Sequence, residues 1–532
     1  MTLRNLAPGI AAFGASIVVA LIGLAASAET PSGDGEGERE GVVKLRLLGV
    51  NDFHGHLEPP RPGVGGAAWL GAHLDAATLP GHTIRVHAGD MVGASPLLSS
   101  WFHDEPSVEV SNDLGFDVGT LGNHEFDEGG EELLRLLDGG RRSGPEALRR
   151  DVDGGLVNTS SPAFAGAAFP YVAANTFDRE AGDLLLAPYR IVERAGARVG
   201  FIGVTTEGTS RFLLPRHSSR FRFTDISDAV DRWVPALQRR GVEAIIVLAH
   251  SGAQADPGDS RSSAGEIIDE AAEMSGAVDV VIAGHSHSLL NLRVPNRSGN
   301  GDKLVVEALS YGVAYDRVDM AIDTTSGDVV AKAAEVPSTA HSDVRPDRRV
   351  AAIVARYADR VAPLAGRVVG GLDRPLTRAD GALGQLAADA QRAFAETDFA
   401  LVNPGSIRDD LDAGPLLYEE LFAVHPYDFP LIRATLPGRA LIDFLAGHRA
   451  GEADPTIYVS GPVGSIDPTR DYTVVANELM ATGEQYPKLR DAWPGGRSLG
   501  SEAEALVRYV QGVGRRTSHQ RERPDSNRRP PA

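Results

Sequence analysis

The chain contains no cysteine in 532 residues. That excludes a disulfide framework, thiolate metal sites and thiol nucleophiles. Lysine is scarce too: Lys44, Lys303, Lys332 and Lys488 are the only four, so amine chemistry such as a Schiff base has little to work with. Positive charge is also in deficit. With 52 basic against 72 acidic residues the formal net charge is −20. This is the wrong sign for a general nucleic-acid binder, whose basic face must replace the counterions on phosphate. A long apolar run occurs at one place only, the amino terminus. What remains for chemistry is carboxylate, imidazole, hydroxyl and guanidinium, or a metal that they hold.

Residues 1–28 read as an export signal. Arg4 is the single charged side chain, an apolar stretch runs from Ala11 to Ala26, and Ala26-Ser27-Ala28 gives a small-residue cleavage pattern. The stretch approaches bilayer length, so an uncleaved anchor is the rival reading. Pro8, Gly9, Gly14 and Ser16 weaken such a span. A secreted or cell-envelope protein is expected, with no stable membrane association beyond such an anchor. Residues 29–41 form an acidic, glycine-rich linker, and residues 515–532, rich in Arg and Pro, a disordered basic tail.

Between the ends, short apolar runs (Val42–Val50, Thr83–Val86, Ala244–Leu248, Val278–Ile282, Lys303–Val306) alternate with helix-like stretches such as Glu131–Leu137 and Ile226–Leu237. That alternation predicts an α/β domain. Val350, Ile353, Val354, Tyr357 and Val361 recur at helical spacing and predict a connecting helix. The expected division is a first domain over 42–340, a connecting helix over 341–366 and a second α/β domain over 367–514.

Five of the strand candidates end alike, in a polar residue able to hold a metal. Leu45–Val50 runs into Asn51-Asp52-Phe53-His54-Gly55-His56, and Thr83–His87 into Ala88-Gly89-Asp90. Asp117–Leu121 runs into Gly122-Asn123-His124-Glu125-Phe126-Asp127, Ala244–Ala249 into His250, and Val280–Ala283 into Gly284-His285-Ser286-His287. In open α/β sheets the functional crevice lies beyond the carboxyl ends of the strands. One such histidine is an ordinary structural residue; five endings of this kind are not explained by packing. Imidazole, carboxylate and amide oxygen without sulfur suit zinc, manganese or cobalt-type ions, and the donors are enough for two ions sharing an Asp. Gly89 and Gly122 fit the tight turns that aim their neighbours inward.

These motifs resemble those of the calcineurin-like metallophosphoesterases, and within them the exported 5′-nucleotidase and UDP-sugar hydrolase family. The resemblance spans nearly all of Val42 to Gly514. It implies a β-sandwich flanked by helices, followed by an α/β substrate-binding domain. It implies one divalent ion on Asp52, His54, Asp90 and His287, and a second on Asp90, Asn123, His250 and His285. His124, oriented by Asp127, would stabilise the transition state or protonate the leaving oxygen.

In the second domain, Asn403-Pro404-Gly405-Ser406-Ile407-Arg408 resembles the family's substrate-binding segment, which implies that Asn403, Gly405 and above all Arg408 contact substrate. Arg392 is a further anion-binding candidate, weighed against an exposed helix charge. Tyr427 and Tyr486 stand at positions taken for the aromatic pair that sandwiches a nucleobase, weighed against ordinary half-buried tyrosines. The pattern departs here: Pro426-Tyr427-Asp428-Phe429 lacks a base-contacting Asn, and in Thr482-Gly483-Glu484-Gln485 a ribose-contacting Asp becomes Glu484. The resemblance also implies a domain rotation, with a hinge expected near Val350–Val361.

The expected function is a secreted 5′-nucleotidase in which a metal-bound hydroxide attacks phosphorus. The alternatives are a 2′,3′-cyclic-nucleotide phosphodiesterase, a nucleotide-sugar diphosphatase, a sulfur-ester hydrolase, or a non-catalytic exported protein that binds metal. The expected partner is a nucleotide or other phosphate ester, not nucleic acid.

Overall fold

The structure is a computed structural model and describes residues 41–150, 155–254, 263–299, 301–379, 381–449 and 457–521. The expected signal, the linker up to Glu40 and residues 522–532 of the expected tail lie outside the described residues. No helix among the described residues is long and apolar enough to cross a membrane.

Two six-stranded sheets make the first domain. In the first, Val42–Val50, Thr83–His87, Val118–Thr120 and Tyr171–Val172 run parallel. Asp316–Asp323 and then Val329–Glu335 add antiparallel at the edge. In the second, Ala197–Thr205, Ala244–His250, Val280–Ala283 and Asp302–Ala308 run parallel between antiparallel edges, Tyr189–Arg194 and Leu289–Pro295.

The sequence explains why both sheets are buried on two faces. Side chains alternate along a strand. Leu45 and Leu47 point between the sheets with Phe201, Ile246, Leu248 and Ile282. Leu48 and Val50 point the other way, into a cluster with helices Ala67–Ala77 and Glu105–Leu114. Likewise Ile245, Val247 and Ala249 face helices Ile226–Gln238 and Glu266–Glu273. Continuous apolar runs are what a helix-covered parallel sheet requires.

Helix Arg348–Ala365 begins at Asp347, whose carboxylate accepts N–H groups from Arg349 and Val350. It belongs to the first domain's packing: Val350, Tyr357, Val361 and Leu364 share a cluster with Leu70, Leu74 and Leu114. Tyr357 Oη donates to Glu109 at 2.9 Å, and Arg356 donates to the same carboxylate. This is the segment near which a hinge is expected; its packing cluster also takes in Phe422 and Ala503 of the second domain.

The second domain is a five-stranded mixed sheet in the order Tyr458–Ser460, Phe399–Val402, Asp471–Asn477, Pro430–Pro437, Arg497–Ser501. Helices Ala382–Ala395 and Glu502–Arg521 share a core on one side, and helix Gly438–Arg449 packs on the other. The terminal helix continues past Gly514, so the backbone of 515–521 is helical where a disordered tail was expected. Its first turns are fixed by buried Ala503, Ala505 and Leu506, and extending an existing helix costs far less than nucleating one.

Phe201 is fully buried between the two sheets. Phe201→Ala should lower unfolding stability by about 3–5 kcal/mol in urea titration; a loss below about 1 kcal/mol would show that the sheets do not share one core.

Candidate metal and catalytic cleft

The parallel strands end level with one another. Val50 pairs with His87 and His87 with Gly119, and in the other sheet Thr205 pairs with His250 and Ala249 with Ala283. The loops that follow all open at one edge of the sandwich. They are unusually strained: Asp52, His54, Asp90, His285 and His287 have φ of 49°, 48°, 51°, 77° and 56°. Left-handed values at residues with a Cβ persist only where the surroundings enforce them, and they gather at functional sites. Five of the seven expected metal donors are in this state.

The donors converge in two groups. Asp52, His54 and His287 offer ligand atoms within 4.8 Å of one another, and so do Asp90, His250 and His285. His54 Nε2 lies 3.2 Å from His287 Nε2 and 3.6 Å from Asp90 Oδ2. His250 Nε2 lies 3.0 Å from Asp90 Oδ2 and 3.1 Å from Asn123 Oδ1. All seven expected donors are thus brought together, with Asp90 reaching both groups.

The surroundings fit cations. His54 Nδ1 donates to Gly93 O at 2.8 Å and His250 Nδ1 to Ala88 O at 2.9 Å. These bonds fix the tautomer that leaves both Nε2 lone pairs facing the cleft, the arrangement of metal-ligating histidines. Two imidazole nitrogens face to face beside two buried carboxylates satisfy a divalent ion better than they satisfy each other. Burial alone would favour neutral acids, but His287 and His250 outweigh it at Asp52 and hold that carboxyl below its ordinary range. His250 and His124 do the same at Asp90.

Neighbouring groups that the motif reading passed over hold this geometry. Glu125 accepts N–H bonds from Asp90, Met91 and Gly122, so one buried carboxylate clamps two ligand loops. Asn51 donates to Asp52 at 2.7 Å and to Leu309 O at 2.6 Å. Gly89 has a φ of 86°, as expected of a turn. Gly122 serves differently: its backbone is not left-handed, and a Cβ there would collide with Asp90 Oδ1. Tyr311, with φ of 60°, packs its ring 3.9 Å from that of His56 and 5.4 Å from that of His287.

His124 Nδ1 donates to Asp127 Oδ2 at 2.7 Å, which turns Nε2 toward Asp90 Oδ2, 4.0 Å away. Burial opposes a charge on this imidazole, but Asp127 and Asp90 outweigh it and raise its pKa. A histidine so placed can hold a proton at Nε2.

The second domain reaches the cleft with some of the expected residues and not others. Arg408 lines a cavity of about 470 Å³ beside His287, with Arg61, Arg378 and Tyr311. Its Nε is buried with no hydrogen-bond partner among the described residues, as suits a donor meant for an anion. Tyr427 stacks on His124, with ring centres 5.5 Å apart, and on Phe429, with centres 5.1 Å apart and planes 5° apart. Glu484 accepts from Ser210 Oγ of the first domain at 3.2 Å. Gly405 is exposed in the short helical turn Pro404–Ser406. Three residues differ from expectation. Tyr486 is 2% exposed and packed in the second-domain core with Phe444 and Leu489, so it presents no face to a base. Asn403 is buried and accepts from Asn477 Nδ2 at 2.8 Å, which ties it to the interior instead of the cleft. Arg392 is exposed on helix Ala382–Ala395 and does not line the Arg408 cavity. Arg61 and Arg378 lack any local pattern that would have found them; only the fold brings them here. Phe429 closes the motif that was read, but its stacking on Tyr427 was not foreseen.

Comparison with known proteins agrees with this architecture. Residues 45–289 match the family model for calcineurin-like phosphoesterase, and residues 365–464 match that for the 5′-nucleotidase C-terminal domain. The chain is 33% identical to endonuclease YhcR of Bacillus subtilis over 88% of its own length, and that alignment covers 40% of the relative. The chain therefore spans less than half of that larger protein. It is 24% identical to a 5′-nucleotidase of Vibrio cholerae, over 93% of this chain and 94% of the other. Its fold is similar to that of a 5′-nucleotidase precursor from Thermus thermophilus, with a TM-score of 0.72, 24% identity, and coverage of 89% and 97% of the two chains. The chain belongs to the family that joins a calcineurin-like phosphoesterase domain to a 5′-nucleotidase C-terminal domain.

Proposed function

We propose that the chain is an extracytoplasmic, dinuclear-metal phosphohydrolase that releases phosphate from nucleoside 5′-phosphates. The observation that carries the reading is the His124–Asp127 pair set against Asp90, where both donor groups meet. A protein that kept metal for structure alone would have no use for an oriented, proton-holding imidazole at that point. The apolar segment and cleavage pattern of residues 1–28 support export.

Two divalent ions, when bound by these residues, supply an activated water and neutralise charge on the phosphoryl oxygens. The chain's own groups do the rest. Arg408 grips non-bridging phosphoryl oxygens through its planar fork. His124 delivers a proton from Nε2 to the leaving oxygen, and Asp127 steadies the imidazolium. Tyr427, backed by Phe429, covers His124 from the second domain and keeps water from it.

One observation favours a second reading, hydrolysis of a phosphodiester or a nucleotide-sugar diphosphate. His287 opens on the arginine-lined cavity of about 470 Å³, while His285 opens on another of about 870 Å³. A phosphorus held between them has room for a substituent on either side.

Two outcomes check the proposal. His124→Ala should lower kcat on AMP at least about 100-fold while metal content, measured by elemental analysis, stays near that of the unaltered chain; undiminished turnover would remove His124 from the chemistry. Thorough chelation should abolish phosphate release, and manganese or zinc should restore it; activity persisting in the chelated protein would refute a metal-dependent reaction.

A further inference from the structure

The aromatic pair expected to sandwich a nucleobase is not available as a pair. Tyr486 is in the core of the second domain, and Tyr427 is already engaged by the rings of His124 and Phe429. We propose that the nucleoside lies instead in the cavity on the His285 side of the cleft, with its base stacked on Phe212. This rests on the phosphohydrolase reading above and names where that enzyme reads its leaving group.

That cavity, of about 870 Å³, is within the range that encloses small ligands. Phe212 on its wall is half-buried, and its ring meets that of His285 edge-on, with centres 5.2 Å apart. The platform therefore touches a candidate metal ligand, one substituent away from where phosphorus would be held. It is also well fixed. Thr206 N donates to His250 O at 2.9 Å, Thr206 Oγ1 accepts from Gly208 N, and Thr209 Oγ1 donates to Thr206 O at 2.8 Å. The turn Glu207–Phe212 is thus anchored to the backbone of another candidate ligand.

The opposite wall comes from the second domain. Glu484 reaches across to Ser210 and lines the same cavity. Its carboxylate accepts hydrogen bonds, which suits ribose hydroxyls, and Arg211 and Arg222 line the wall beside it with donors for base oxygens or nitrogens. The other cavity, beside His287, holds Arg61 and the Arg408 Nε that is unpartnered among the described residues, while Arg378 there pairs with Asp410. A half-exposed aromatic ring, a carboxylate and guanidinium donors on one side, with arginines for phosphate on the other, describe a nucleoside phosphate laid across the two candidate metal groups.

The test compares kcat/KM for AMP with that for ribose 5-phosphate, using the full chain loaded with manganese. In the unaltered protein the ratio should favour AMP. Phe212→Ala should lower the ratio at least about tenfold, and Phe212→Trp should keep it within about threefold. A ratio near one in the unaltered protein, a ratio unmoved by Phe212→Ala, or a collapse caused by Tyr427→Ala instead would overturn the proposal, while leaving phosphate hydrolysis intact. If neither ester releases phosphate, the phosphohydrolase reading itself fails. Binding of adenosine, followed by calorimetry, then decides the site: affinity about tenfold weaker in Phe212→Ala supports it, and unchanged or absent binding overturns it.

Discussion

The cleft is built around one buried carboxylate. Asp90 is 1% exposed, with His250 Nε2 at 3.0 Å, His54 Nε2 at 3.6 Å and His124 Nε2 at 4.0 Å. It also accepts the backbone N–H of His124 at 2.9 Å. A charge so far from water is tolerable only with close compensation, so three imidazoles from three separate loops are drawn to one point. Its own placement is equally constrained. The backbone is left-handed at Asp90, its N–H is held by Glu125, and the neighbouring loop passes so close that only glycine fits at 122.

Such a concentration of strain and burial needs a rigid support, and the sandwich provides it. The ligand loops leave strands that are apolar on both faces and packed between layers, so the strand ends cannot shift individually. The carboxyl ends of the two sheets arrive level, and each sheet delivers part of the donor set: Asp52, His54, Asp90 and Asn123 from one, His250, His285 and His287 from the other. Close packing transmits position faithfully because interiors have few voids. The two faces of the candidate metal site therefore meet through inter-sheet packing at Leu45, Phe201, Ile246 and Ile282, well away from the chemistry.

This division explains what could be read from the chain beforehand. A strand followed at once by an Asp or His is a local pattern, and in this fold local pattern and strand order together determine where that residue goes; hence the convergence of the strand-end residues was legible, while the choice of the seven candidate donors, His124 and Asp127 was what the family resemblance implied. The long-range contributions were not legible. Glu125 lies inside a motif that was read, but its role as a clamp depends on backbone N–H groups 34 and 35 residues distant. Arg61 sits in an ordinary surface segment of the first domain and meets Arg408 only when the domains come together, while Arg378 is brought beside Arg408 by the Leu376–Leu411 bridge within the second. Tyr486 misled for the opposite reason: the motif resemblance placed it in an aromatic pair around a base, but the apolar cluster of Phe444, Met480 and Leu489 draws its ring inward. The connecting helix was found by its periodicity, and that same periodicity buries its apolar face on the first domain.

The departures in the second domain are connected. Where the family pattern has a base-contacting Asn, this chain has Phe429, which lies parallel to Tyr427 and presses it toward His124. Where the pattern has an Asp, the longer Glu484 reaches the first domain at Ser210, and Glu478 on the short helix before it pairs with Arg216. Each change takes a group that would otherwise face a base and turns it toward the other domain. Their combined effect is to close the second domain against His124 on one side while leaving the wide cavity beside His285 on the other. Recognition that is lost at the aromatic pair has a place to reappear there, because that cavity combines the Phe212 ring, the Glu484 carboxylate and direct access to the candidate ligand His285.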